Sequence, residues 1–118
     1  MYTIGKKFAF SASHTIGGLP AGHPCAQLHG HNYEVEVVLQ SAKLDEGGFI
    51  RDYQELSALK DFLDATVDHR HVNDVLGHDQ TTAEVISKWL YDWCVKRWPE
   101  TIAVRVCETP RVWAEYRP

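Results

Sequence analysis

The run Cys25-Ala26-Gln27-Leu28-His29-Gly30-His31-Asn32-Tyr33 places a thiol four residues ahead of two histidines that stand two apart. Along an extended strand alternate side chains share a face, so both imidazoles project the same way. Beyond them Tyr33, Val35, Val37 and Leu39 alternate with Glu34, Glu36 and Val38, the pattern of a half-buried strand with the histidines at one end of its core face. Neutral imidazole is the commonest metal ligand, and a catalytic zinc keeps three protein ligands and one open position. An isolated His-x-His pair would equally suit two imidazoles that only form hydrogen bonds. A third candidate, His14, tips the reading toward metal, because Phe8, Phe10, Ala12 and His14 also alternate along a strand. Antiparallel pairing would bring the end of that strand, His14, to the start of the next, His29 and His31.

Three further groups could carry chemistry. Cys25 lies close in sequence to these histidines, and a thiol beside a cation ionises near neutral pH, making it a candidate ligand or base. Its placement after a loop rich in Gly and Pro argues against a merely buried cysteine. Asp68-His69 puts an acid next to an imidazole on a polar stretch, where a turn would let the carboxylate orient the ring for proton transfer. On its own, such a pair is as simply a surface feature. Glu108 closes a strand and could accept hydrogen bonds from a ligand's amine groups, or merely be solvated. His23, His71 and His78 are read as incidental.

The elements that must position these groups follow from periodicity and punctuation. Strands are expected over residues 2–13 and from His29 to about Ala42, joined by a Gly/Pro-rich loop over residues 15–24. A helix begins at Asp52, capped with Glu55 three residues on, and carries Tyr53, Leu56, Leu59, Phe62, Leu63 and Val67 at helical spacing. Residues 67–74 are polar and read as loop. Thr81 with Glu84 fits a capping box that opens a second helix ending before Pro99. Strands over residues 102–108 and 112–116 complete the order ββααββ. At 118 residues this is one domain, residues 1–118, with room for a single core. An apolar content of 44% and a net charge of −4 describe a soluble protein with no basic surface for nucleic acid or membranes. No stretch approaches the roughly 18 apolar residues of a membrane span, and the N-terminal residues lack an apolar signal core. Three cysteines at unrelated spacings argue against a disulfide framework and for a cytoplasmic protein with free thiols.

Taken together, Phe10-Ser11-Ala12-Ser13-His14, the Cys25–Tyr33 block, Asp68-His69 with Asn73, Thr82-Ala83-Glu84 and Glu108-Thr109 resemble the 6-pyruvoyltetrahydropterin synthase family over nearly the whole chain. The three residues between Cys25 and His29, preceded by Gly22-His23-Pro24, resemble its bacterial 6-carboxytetrahydropterin synthase branch. The resemblance implies an α+β tunnelling (T-) fold, with a four-stranded antiparallel sheet and two helices on one face. Such subunits form an oligomeric barrel, a homohexamer built as a dimer of trimers with sites at subunit interfaces. It further implies Zn²⁺ on His14, His29 and His31, Cys25 as the proton-abstracting base, and Asp68 with His69 as the opposing acid relay. Glu108, helped by Thr82, would hold the pterin ring.

The implied activity is a zinc-dependent lyase that converts 7,8-dihydroneopterin triphosphate to 6-carboxytetrahydropterin, releasing acetaldehyde and triphosphate on the route to queuosine. Its alternatives are triphosphate elimination to the 6-pyruvoyl product, an aldolase-like cleavage, and a non-catalytic pterin-binding zinc protein. Two features depart from the family pattern. Asp79-Gln80-Thr81 stands where Asn-Pro-Thr is common, and Trp113 occupies the C-terminal stretch; both bear on substrate choice. Lys6, Lys7, Arg51 and Arg70 are equal candidates for the triphosphate.

Overall fold

A computed structural model describes all residues from Met1 to Pro118. Its strands are β1 (Tyr2–His14), β2 (His29–Ser41), β3 (Arg70–His71), β4 (Thr101–Thr109) and β5 (Val112–Tyr116). Its helices are α1 (Ala58–Thr66), α2 (Val72–Leu76) and α3 (Ala83–Arg97), with single 3-10 turns at Pro24–Ala26 and Glu55–Ser57. The strands form one mixed sheet in the order β3-β1-β2-β4-β5. β1, β2, β4 and β5 pair antiparallel, whereas β3 runs parallel to β1 and meets only Ala12 and Ser13.

Two-residue alternation decides the layers. Phe8, Phe10, Ala12 and His14 of β1 are buried, as are Tyr33, Val35, Val37 and Leu39 of β2 and Val104 and Val106 of β4. They pack in one cluster with Leu56, with Leu59 and Leu63 of α1, and with Ile86, Leu90 and Cys94 of α3. Each of these fully buried aliphatic side chains contributes about 1.5–3 kcal/mol relative to exposure. The opposite sheet face carries polar pairs instead, such as Lys7 with Glu34 at 3.6 Å and Arg105 with Glu115 at 3.3 Å. No helix is long and apolar enough to cross a membrane. All three cysteines are free.

The α+β class and the four long strands match expectation, while the counts of strands and helices do not. Residues 67–74, read as loop, contain β3 and the start of α2, making five strands and three helices. A two-residue strand has no periodicity to read. α2 did leave a signal, since Val72, Val75 and Leu76 share a helical face ahead of Gly77, whose φ of +78° closes the helix in the left-handed region. The first long helix also starts later than expected. Asp52 caps a turn, its Oδ1 accepting from the Gln54 N–H at 2.9 Å, and α1 proper begins at Ala58.

Candidate active site

Strand register assembles the histidines. His14 lies opposite His29 and Ala12 opposite His31 in the β1–β2 ladder. The three rings converge, with centroids 4.5 Å (His14–His29), 5.2 Å (His14–His31) and 4.9 Å (His29–His31) apart. One ring nitrogen from each lies within 4.8 Å of the other two. Gly30 permits this approach: a Cβ there would sit 3.2 Å from the Ala12 carbonyl oxygen.

Hydrogen bonds set the direction of the lone pairs. His14 Nδ1 is 2.7 Å from the Thr81 carbonyl, and His29 Nδ1 is 2.7 Å from the Gln27 carbonyl. A carbonyl oxygen only accepts, so both Nδ1 atoms carry protons and donate. The two Nε2 atoms then face each other at 2.9 Å, an arrangement that repels unless a proton or cation lies between them. His31 Nε2 is buried and has no hydrogen-bond partner. Glu108 Oε2, at 3.6 Å, is beyond bonding distance. Burial is the main effect holding the His14 pKa below its ordinary value and so favours the neutral imidazole that a metal needs, while the Thr81 carbonyl pulls the other way. An orphaned nitrogen and two opposed lone pairs are what a divalent cation would satisfy, and three imidazoles suit zinc with a position to spare.

Thr81 is not the helix cap. That role falls to Thr82, whose hydroxyl accepts the Val85 N–H at 3.3 Å, while Thr81 one residue earlier is fully buried against His14. Two adjacent threonines make the capping frame ambiguous by one residue, and packing against β1 decides it.

The proton-transfer candidates are not among the mutually close ligand atoms of the cluster. Cys25 is half-buried in the middle of the Pro24–Ala26 turn. Its N–H donates to His23 Nδ1 at 3.1 Å, and its carbonyl accepts the Ile16 N–H at 3.0 Å. The group of mutually close ligand atoms includes no thiol.

Asp68 and His69 do meet. The His69 Nδ1–H donates to Asp68 Oδ2 at 2.9 Å, and Asp68 Oδ1 accepts the Ser11 N–H at 2.9 Å. His69 takes φ of +60°, a region a non-glycine residue occupies at a cost, and this turn is what lets adjacent side chains face each other. The Ser11 N–H, and after it His69, hold the Asp68 pKa below the usual carboxylate range. His69 is exposed and lines a groove of about 520 Å³ with His31, Asn32 and Ser11.

Glu108 reaches the cluster because of a register shift. Cys107 pairs with Trp113 and Thr109 with Val112, leaving Glu108 unpaired between them and free to turn toward His31. It borders a cavity of about 410 Å³ with Glu84 and Trp113. Tyr33, two residues past His31 on the same face, was not singled out from sequence. Its buried hydroxyl has no partner, and burial, then the charge of Glu108, raises its pKa.

A family model described as 6-pyruvoyl tetrahydropterin synthase matches residues 3–118. The 6-carboxy-5,6,7,8-tetrahydropterin synthase of Bacillus subtilis is 31% identical over 129 residues, covering 99% of this chain and 86% of that one. The dihydroneopterin monophosphate aldolase of Pyrococcus furiosus is 28% identical over 79 residues, covering 67% and 66%. Among solved structures, the Caenorhabditis elegans 6-pyruvoyl tetrahydropterin synthase superposes with a TM-score of 0.86 at 22% identity, covering 99% of this chain and 95% of that one. The histidine register, the full-length match and the shared fold converge on one conclusion: this chain belongs to the 6-pyruvoyl tetrahydropterin synthase family.

Proposed function

We propose that the chain is a zinc-dependent 6-carboxytetrahydropterin synthase, a carbon–carbon lyase acting on 7,8-dihydroneopterin triphosphate. The observation that carries this reading is the convergence of His14, His29 and His31, with the unprotonated Nε2 atoms of His14 and His29 facing each other and the buried Nε2 of His31 left without a partner. Zinc bound there would supply Lewis acidity toward the hydroxyl oxygens of the substrate side chain. The reaction takes up one water and yields 6-carboxytetrahydropterin, acetaldehyde and triphosphate.

The chain's own groups have separable tasks. The Cys25 thiolate removes a side-chain proton. His69, held by the Asp68 carboxylate, returns one from its free nitrogen, and paired acid and base at this level are worth about 10² to 10⁴ in rate. The Glu108 carboxylate accepts from the amino and ring N–H groups of the pterin. Thr82, whose oxygen accepts from the backbone, keeps its proton to donate to the ring. For the triphosphate Arg70 is preferred. Lys6 is held by the Tyr53 carbonyl and Ser57, Lys7 by Glu34, and Arg51 by Glu55 and Glu100, whereas Arg70 adjoins His69 on the groove with no carboxylate partner.

The active form is a cytoplasmic homohexamer, a dimer of trimers, in the route to queuosine. In support, β3 covers only Ala12 and Ser13 of β1, and the outer side of β5 is unpaired, so both sheet edges can extend into a neighbour. Cys25 would then meet His69 across subunits. The resemblance to an aldolase favours a second reading, cleavage between the first and second side-chain carbons that leaves a hydroxymethyl pterin and releases glycolaldehyde still carrying its phosphate.

Product analysis decides between them. Metal-loaded protein incubated with dihydroneopterin triphosphate, and separately with the monophosphate, is examined by mass spectrometry. The carboxy product with acetaldehyde is expected. The pyruvoyl compound alone, or a hydroxymethyl pterin from the monophosphate, would replace this reading with one of the alternatives.

A further inference from the structure

We infer that Asn73, on α2, is a positioning residue that holds His14 and Cys25 in place at once, acting through the strip Thr15–Ile16–Gly17. Its side-chain amide works as a one-residue strand. Oδ1 accepts the Thr15 N–H at 3.0 Å, and Nδ2 donates to the Thr15 carbonyl at 2.8 Å. β1 ends at His14, so this pairing continues the ladder one residue past the ligand. Thr81 closes the same knot. Its hydroxyl donates to the Thr15 carbonyl at 3.0 Å, while its carbonyl takes the His14 Nδ1 proton.

The next two residues of the strip extend the clamp to the thiol. The Ile16 N–H donates to the Cys25 carbonyl at 3.0 Å, and the Gly17 N–H donates to the Asp79 carbonyl at 3.0 Å. Gly17 is required there, because a Cβ would come within 2.8 Å of Asp79 Cβ. Asn73 Nδ2 also lies 3.3 Å from Asp79 Oδ1. Asn73, Thr81 and His14 are all buried, so no water competes for these bonds and each lost partner leaves a group unsatisfied. One amide thus ties α2 and the segment before α3 to the end of β1 and to the Cys25 turn.

This inference rests on the metal-site reading above, and its test separates the two. Zn²⁺ affinity of wild type, Asn73→Ala, Thr81→Val and Thr81→Ser is measured by competition with a chromophoric chelator. The ¹⁵N shifts of the His14 ring are recorded in metal-free protein, and Cys25 alkylation is followed by peptide mass mapping. Removal of such an outer partner typically costs about 10- to 100-fold in metal affinity, and that loss is expected for Asn73→Ala. A mixed His14 tautomer and an altered Cys25 alkylation rate should accompany it. Thr81→Val should show a smaller loss that Thr81→Ser restores.

Leu59→Ala, a core change in α1, serves as a control that lowers stability without moving affinity or tautomer. Should Asn73→Ala lower the melting temperature yet bind Zn²⁺ and hold the tautomer as wild type does, Asn73 is merely structural and the inference fails. If Asn73→Ala does not fold, wild-type affinity and tautomer in Thr81→Val overturn it. Failure of wild type to bind Zn²⁺ would sink the metal reading, while the tautomer measurement would still judge Asn73.

Discussion

His14, His29 and His31 stand on two fully laddered strands, whereas Cys25 stands on a single 3-10 turn and His69 on a left-handed residue of a connecting segment. The first group needs only the β1–β2 register to converge, and the Nε2 atoms of His14 and His29 are turned inward by the backbone carbonyls of Thr81 and Gln27. The second group is held by few contacts, and within one chain Cys25 does not join the histidines. Ladder hydrogen bonds repeat along thirteen residues of each strand, so local disturbance is shared, while a turn answers to its own few bonds. The difference teaches that the histidine cluster follows from the strand ladder itself, whereas the placement of Cys25 and His69 rests on turns and connecting segments.

The sharpest way to break this contrast is at the ladder. His29→Ala leaves two imidazoles and is expected to abolish Zn²⁺ retention through gel filtration and, with it, all turnover; metal analysis checks the first and product formation the second. Next comes Cys25→Ala, expected to fold, keep stoichiometric Zn²⁺ and lose about 10² to 10⁴ in turnover. Wild-type activity in that variant would remove Cys25 from its role.

Asp68→Asn follows, with kcat reduced about 10²-fold and metal content unchanged. It also carries a pH signature. The folded-state pKa of Asp68 is depressed, chiefly by the Ser11 N–H, so its ionised form adds stability above the unfolded value near 4. That contribution is lost as pH falls through the lower folded value. Thermal melts at descending pH should therefore show wild type losing a stability advantage below about pH 4 that Asp68→Asn never had. The smallest effect is expected of Thr82→Ala, which removes the α3 cap at a cost of about 1 kcal/mol. A melting temperature lower by a few degrees and a KM for the pterin raised several-fold would express its two tasks.

The histidine cluster was legible because it lies on strands. A period of two places His29 beside His31 on the face of Tyr33 and Val35, and the same period puts His14 in line with Phe8 and Phe10. Helix α3 and strand β5 were legible for similar reasons, each being a clean periodic run bounded by Pro or a turn. The segment from Val67 to Thr81 was not. β3 pairs only with Ala12 and Ser13, beside the bonds of Ser11 to Asp68 and His69, and Thr81 rather than Thr82 is buried against His14.

Sequence alone therefore determined which side chains share a face, since alternation is a local property of an extended backbone. Tertiary structure alone decided which nitrogens point inward, how Glu108 leaves its ladder to approach His31, and how Asn73 meets a residue 58 positions away. Those outcomes depend on hydrogen bonds between segments distant in the chain, and no spacing rule encodes a bond whose two ends are brought together only by the packed core.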